Sequence, residues 1–61
     1  MLQRVLNTNG QIEWIDPDKV IKAYTIQEGI VVAELPDGFR LVCTDDEWER
    51  FVAKANGEEA M

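Results

Sequence analysis

Histidine and serine are absent from this 61-residue chain, cysteine occurs once, and the longest apolar stretch is Ile30-Val31-Val32-Ala33. Without histidine there is no side chain whose ordinary pKa makes it a general base near neutral pH, and neither a Ser–His nor a Cys–His pair can be assembled. The acids lie at turns and at a helix start, where solvation and capping account for them, so the sequence argues against an enzyme. A single cysteine closes no intramolecular disulfide, and with no histidine there is no Cys/His zinc set. The alternating oxygen ligands of a calcium loop are also missing. No cofactor or metal is therefore expected. Four apolar residues are too few to span a bilayer, and no basic-then-apolar leader stands at the N-terminus. A lone cysteine suits a reducing compartment, so the expected location is the cytoplasm, of a bacterium or of a phage-infected host.

What is present is a small acidic chain. The formal charge is −6, from twelve Asp and Glu against six Lys and Arg. A binder of nucleic acid needs a basic stripe, whereas these basic residues are scattered, so direct nucleic-acid binding is not expected. A domain of this size buries only about 60% of the surface its unfolded chain exposes. Small scaffolds usually add disulfides, metals or partner subunits to a thin core. With the first two missing, self-association is the expected support.

Residues 1–57 read as one β-rich domain and residues 58–61 as a flexible tail. Leu2-Gln3-Arg4-Val5-Leu6 and Gln11-Ile12-Glu13-Trp14-Ile15 flank Asn9-Gly10, a strong hairpin signal because both central residues of a type I′ turn need positive φ. Asp16-Pro17-Asp18 interrupts the pairing, since proline has no N–H for a ladder. Asp16-Pro17 is also a helix-start pattern, so a helical turn there remains open, but the β-branched content of Lys19 to Ile26 favours a strand for most of the segment, with Val20, Lys22, Tyr24 and Ile26 on one face. The run Ile30–Leu35 reads as a central strand covered on both faces. Pro36-Asp37-Gly38 turns it into Phe39-Arg40-Leu41-Val42-Cys43. Thr44-Asp45-Asp46-Glu47 is a capping box, and Trp48, Phe51, Val52 and Ala55 recur at helical spacing as one apolar stripe. Asn56-Gly57 ends that helix. The expected fold is α+β: a small antiparallel sheet of about five strands, in two hairpins, with one C-terminal helix packed on it.

Arginine, tryptophan and tyrosine are the usual anchors of interfaces and ligand sites. Arg4, Trp14, Tyr24 and Arg40 are accordingly the candidate contacts for a protein partner or an anionic small molecule, and Cys43 is read as a small core residue. Asp45, Asp46 and Glu49 form an acidic surface. The helix dipole favours carboxylates there, and the same charges could mimic a nucleic-acid phosphate array.

From Asn9 to about Lys54 the chain resembles the small FlbD-like proteins of bacterial flagellar operons. The resemblance is carried by Asn9-Gly10, Trp14-Ile15-Asp16-Pro17-Asp18 with Val20, Ile30-Val31-Val32-Ala33-Glu34-Leu35, Asp37-Gly38 and the acidic helix start. Lys19, Lys22 and Tyr24 stand where that family carries an acid-rich stretch. The resemblance implies a non-enzymatic accessory role and no catalytic residues. The expected function is thus a binding or regulatory module acting as a homo-oligomer on a protein partner or small ligand. The alternative is a phage-encoded inhibitor of a host or defence factor, which sequesters a signalling nucleotide or mimics nucleic acid.

Overall fold

The computed structural model describes residues 1–57, so the expected tail at 58–61 lies outside the described residues. Five strands and one helix form an α+β fold. They are β1 (Gln3–Leu6), β2 (Ile12–Ile15), β3 (Lys22–Gln27), β4 (Ile30–Glu34), β5 (Arg40–Thr44) and α1 (Asp45–Ala55). The strands divide into two antiparallel sheets, β1–β2 and β3–β4–β5, where the sequence suggested one. The break lies at Pro17–Lys19, a short 3-10 turn. Asp16 caps it by accepting from the Asp18 N–H at 3.0 Å, and Pro17 brings no N–H to a ladder. The chain leaves β2, turns, and starts a separate sheet. The helical turn left open for this segment is therefore real, and the strand follows it.

The first hairpin does not close by a type I′ turn. Of Asn9 and Gly10 only Gly10 has positive φ, at 81°. Asn7 N–H bonds to Gln11 O and Gly10 N–H to Asn7 O, which makes Thr8-Asn9-Gly10 a three-residue loop with its left-handed residue last. The deciding group is the Asn7 side chain, whose Oδ1 accepts from the N–H groups of both Asn9 and Gln11 at 2.9 Å, the local bonding expected of asparagine at a turn. At the other hairpin Leu35 N–H bonds to Phe39 O. Asp37 joins Gly38 in the left-handed region there, at φ 69° and 77°.

Strand alternation sorts the rest. Val5 and Ile15 from the first hairpin meet Ala33, Leu35, Leu41 and Cys43 from the second sheet and Phe51 from α1 in a single core. β4 is the central strand of its sheet, buried at Val31, Val32 and Ala33. The helical stripe is narrower than its spacing suggested. Phe51 is buried and stacks on half-buried Trp48 at 5.2 Å between ring centroids, but Val52 and Ala55 are exposed. The helix thus presents one edge of the stripe to the core. The Thr44 hydroxyl accepts from Glu47 N–H at 3.3 Å, as a helix cap should. The reciprocal bond of the capping box is replaced by a longer-range one. Glu47 Oε1 accepts from Leu6 N–H at 3.2 Å, tying α1 to β1.

Candidate functional site

The four residues singled out as contacts, Arg4, Trp14, Tyr24 and Arg40, do not share a groove. Splitting the strands into two sheets separates them into two pairs. Arg4 and Trp14 face each other across β1 and β2, on the side of the hairpin opposite Val5 and Ile15. Tyr24 and Arg40 lie on the outer face of the second sheet, either side of Glu34 on β4.

Glu34 joins that second pair. The Tyr24 hydroxyl donates to Glu34 Oε2 at 2.6 Å, and Arg40 Nε lies 3.6 Å from the same oxygen. Lys22 Nζ sits over the Tyr24 ring, 5.7 Å from its centroid, a cation–π geometry. The short hydrogen bond from Tyr24 lowers the Glu34 pKa, with help from the Lys22 and Arg40 charges. The same bond raises that of Tyr24, since ionising the phenol would remove the donor. Glu34 was legible in principle. A three-residue loop at Pro36-Asp37-Gly38 places Glu34 opposite Arg40 by counting outward, the register that β4 and β5 adopt. The partner that satisfies Arg40 is therefore within the chain.

Trp14 belongs to a different feature. It is 59% exposed and lines an open cleft of about 490 Å³ with Leu2, Leu35, Phe39 and the charged Asp16 and Lys19 among others. Phe39 shares the alternation of Leu41 and Cys43 but precedes β5 and is exposed, so two aromatic rings stand at this rim. Asp16 holds a lowered pKa, chiefly because its carboxylate accepts the Asp18 N–H.

Arg4 lines a separate cleft with Glu47, Arg50, Phe51 and Lys54. Glu47 and Phe51 belong to the expected helix cap and apolar stripe, whereas Arg50 and Lys54 lie off the stripe Trp48, Phe51, Val52 and Ala55 and were not among the candidate contacts. Asp45, Asp46 and Glu49 are exposed. Asp45 and Asp46 stand in the first turn of α1, where the helix dipole favours them.

Cys43 is fully buried, as its alternation with Leu41 implied. Desolvation pushes its thiol up to about 11, so at neutral pH it is a protonated core group and a poor nucleophile. Among the described residues there is no group of three His, Cys, Asp or Glu arranged to hold a metal ion, and no helix is long and apolar enough to cross a membrane. No protein-family model, curated protein or solved structure matches the chain.

Proposed function

We propose that this chain is a non-catalytic binding and regulatory module that works as a homo-oligomer and engages a protein partner. The observation that carries the reading is the state of β3. It forms one edge of its sheet, and all six of its residues are exposed. Ala23 and Thr25 pair with Ala33 and Val31 and so share the inner face of the sheet, which is covered at β4 and β5 but open at β3. Ile21 and Ile26 are 65% and 55% exposed at its ends.

An edge strand presents unpaired N–H and C=O groups to any incoming strand, and natural proteins usually blunt such edges with charge, proline or irregularity. Within β3 the blunting is slight: one lysine, Lys22, and a register shift between Thr25 and Gln27. A second copy adding its own β3 would extend the sheet and cover both isoleucines, supplying the support that a core of this size lacks. The FlbD-like resemblance supports the same non-enzymatic, accessory character.

Sedimentation at micromolar concentration is expected to show a dimer or larger species. Ile26→Lys, which sets a charge on the open edge, is expected to return it to a monomer with its circular dichroism unchanged. A native chain that sediments as a monomer and unfolds reversibly at a concentration-independent midpoint overturns the reading.

A further inference from the structure

In an antiparallel pair, residues that exchange both main-chain bonds alternate with residues whose N–H and C=O point away from the partner strand. Asn7 N–H bonds to Gln11 O, so counting by twos along the register makes Val5 with Glu13, and Gln3 with Ile15, the bonded pairs of the first hairpin. Leu6 on β1 then points away from β2, and its N–H does reach Glu47 on α1. On the other flank Ile12 and Trp14 point away from β1, to a side on which β2 has no neighbouring strand. The same count from the bond of Leu35 N–H to Phe39 O turns Arg40 and Val42 to the free side of β5. Val42 O there accepts from Thr8 N–H at 3.0 Å.

That bond pins the turn of the first hairpin to β5, and beyond it β2 and β5 form no ladder. Between them opens the cleft of about 490 Å³. One wall is the stretch 13–16, along and just past β2, and the other is 35–37 with Phe39. β2 therefore gives the cleft a strand edge, and Trp14 and Phe39 give it aromatic rings that are 59% and 45% exposed. Its charges are not all met. Asp16 lies 3.5 Å from the terminal ammonium of Met1, with the Lys19 charge acting on it as well. Glu13, however, accepts from the neutral amide of Asn7, at 3.0 Å, and forms no ion pair among the described residues. Asp37 has neither an ion pair nor a side-chain hydrogen bond among them.

We infer that this cleft takes an extended segment of a partner protein as an added strand along β2, with an apolar side chain against Trp14 and Phe39 and a lysine or arginine toward Glu13 and Asp37. Strand addition draws affinity from main-chain bonds to the exposed edge and selectivity from pockets for alternate side chains. Aromatic residues are frequent anchors of such interfaces. A basic segment also suits a chain of formal charge −6, whose field draws it in. The inference rests on the protein-partner half of the reading above and not on pairing through β3, so the two can fail separately.

The test is a titration of the full chain, followed by amide NMR at low salt, with a seven-residue peptide alternating valine and lysine. Its comparators are the valine and glutamate counterpart and two lysine peptides N-methylated at alternate residues, one for each edge of the added strand. Saturable shifts centred on residues 12–16 and Phe39 are expected with the lysine peptide, and added salt should weaken its binding. One N-methylated version should lose binding and the other keep it, because only one edge of the added strand meets β2. Trp14→Ala and Phe39→Ala should each weaken binding by roughly 10-fold, the order of effect for an interface anchor, and Asp37→Asn by less. Ile26→Lys, on the β3 edge, should leave it unchanged whatever it does to sedimentation. No saturable binding, equal affinity for the glutamate peptide, equal affinity for the two N-methylated peptides, or indifference to both aromatic substitutions overturns the inference. So do concentration-dependent shifts of the same cleft residues in the chain alone, which assign the gap to a second copy. The spectra themselves report whether each variant is folded.

Discussion

β3 and β4 lie side by side in one sheet, and both are rich in β-branched residues, yet β4 is buried at Val31, Val32 and Ala33 while β3 is exposed along its whole length. Neighbours make the difference. β4 has a hydrogen-bonded strand on each side, and its inner face is covered by Val5, Ile15 and Phe51. Even Val32, on the outer face, lies in register between Tyr24 and Val42. β3 has one neighbour, and the first hairpin and α1 do not extend over it. Residue type marks both segments as strands, but cover depends on the strand order and on where the hairpin docks. An uncovered strand of this kind is surface that the isolated chain leaves for something else.

The comparison is broken most directly by truncating both strands' neighbourhoods. Leu41, opposite Ala33 and 1% exposed, is expected to cost about 2–5 kcal/mol on replacement by alanine, the usual range for a buried leucine. For a domain whose whole stability is on the order of 5 kcal/mol that is enough to populate the unfolded state. Ile26→Ala on β3, measured by urea unfolding at high dilution, should change stability by under about 0.5 kcal/mol, as for exposed sites without special contacts. Equal losses at the two positions would mean that β3 is covered within the single chain after all.

A smaller effect tests the far border of the covered region, where β5 passes directly into α1. Thr44 ends β5 and caps the helix, so Thr44→Ala is expected to cost about 1 kcal/mol. Urea unfolding again reads it. Because Glu47 is tied to Leu6 rather than returning to the cap, Glu47→Gln should loosen the attachment of α1 to β1 more than it frays the first helical turn. Amide exchange at Leu6 separates these two outcomes.

The strands, the turns at Gly10 and Gly38 and the helix start at Thr44 were readable because each rests on a local rule: glycine at a left-handed position, a hydroxyl three residues before a glutamate, apolar alternation. The division into two sheets was less so. Asp16-Pro17 signals an interruption, but whether the next strand rejoins the sheet depends on contacts between residues distant in sequence. The same limit applies to the site. Arg4, Tyr24 and Arg40 are each plausible as contacts, and their separation follows only once β1–β2 and β3–β5 are known to be distinct sheets. Arg50 and Lys54 carry an i, i+4 signal of their own, but nothing local says that Arg4 will stand across from them. Glu34 is the intermediate case, recoverable by counting back from the Pro36-Asp37-Gly38 loop.

The smallest expected effect concerns a side-chain contact between the two contrasted strands, the hydrogen bond from Tyr24 on β3 to Glu34 on β4. Because the folded-state pKa of Tyr24 is raised above its ordinary 10.0, chiefly by this bond, its stabilisation is fully present below that pH and is lost as pH rises through the folded value. Glu34 behaves in the opposite sense. Its pKa is lowered from 4.5, again chiefly by the same bond, so its share is present above that pH and is lost as pH falls through the folded value. Tyr24→Phe removes the donor and leaves the ring. The stability difference between the native chain and this variant should therefore be flat between the two ordinary values and shrink at both ends. Both groups are near solvent, so the amplitude should be small, and thermal unfolding at closely spaced pH values is the measurement to use. Parallel pH profiles for the two proteins would show that β3 is not held to β4 by this bond in solution, leaving backbone pairing alone to fix the edge strand.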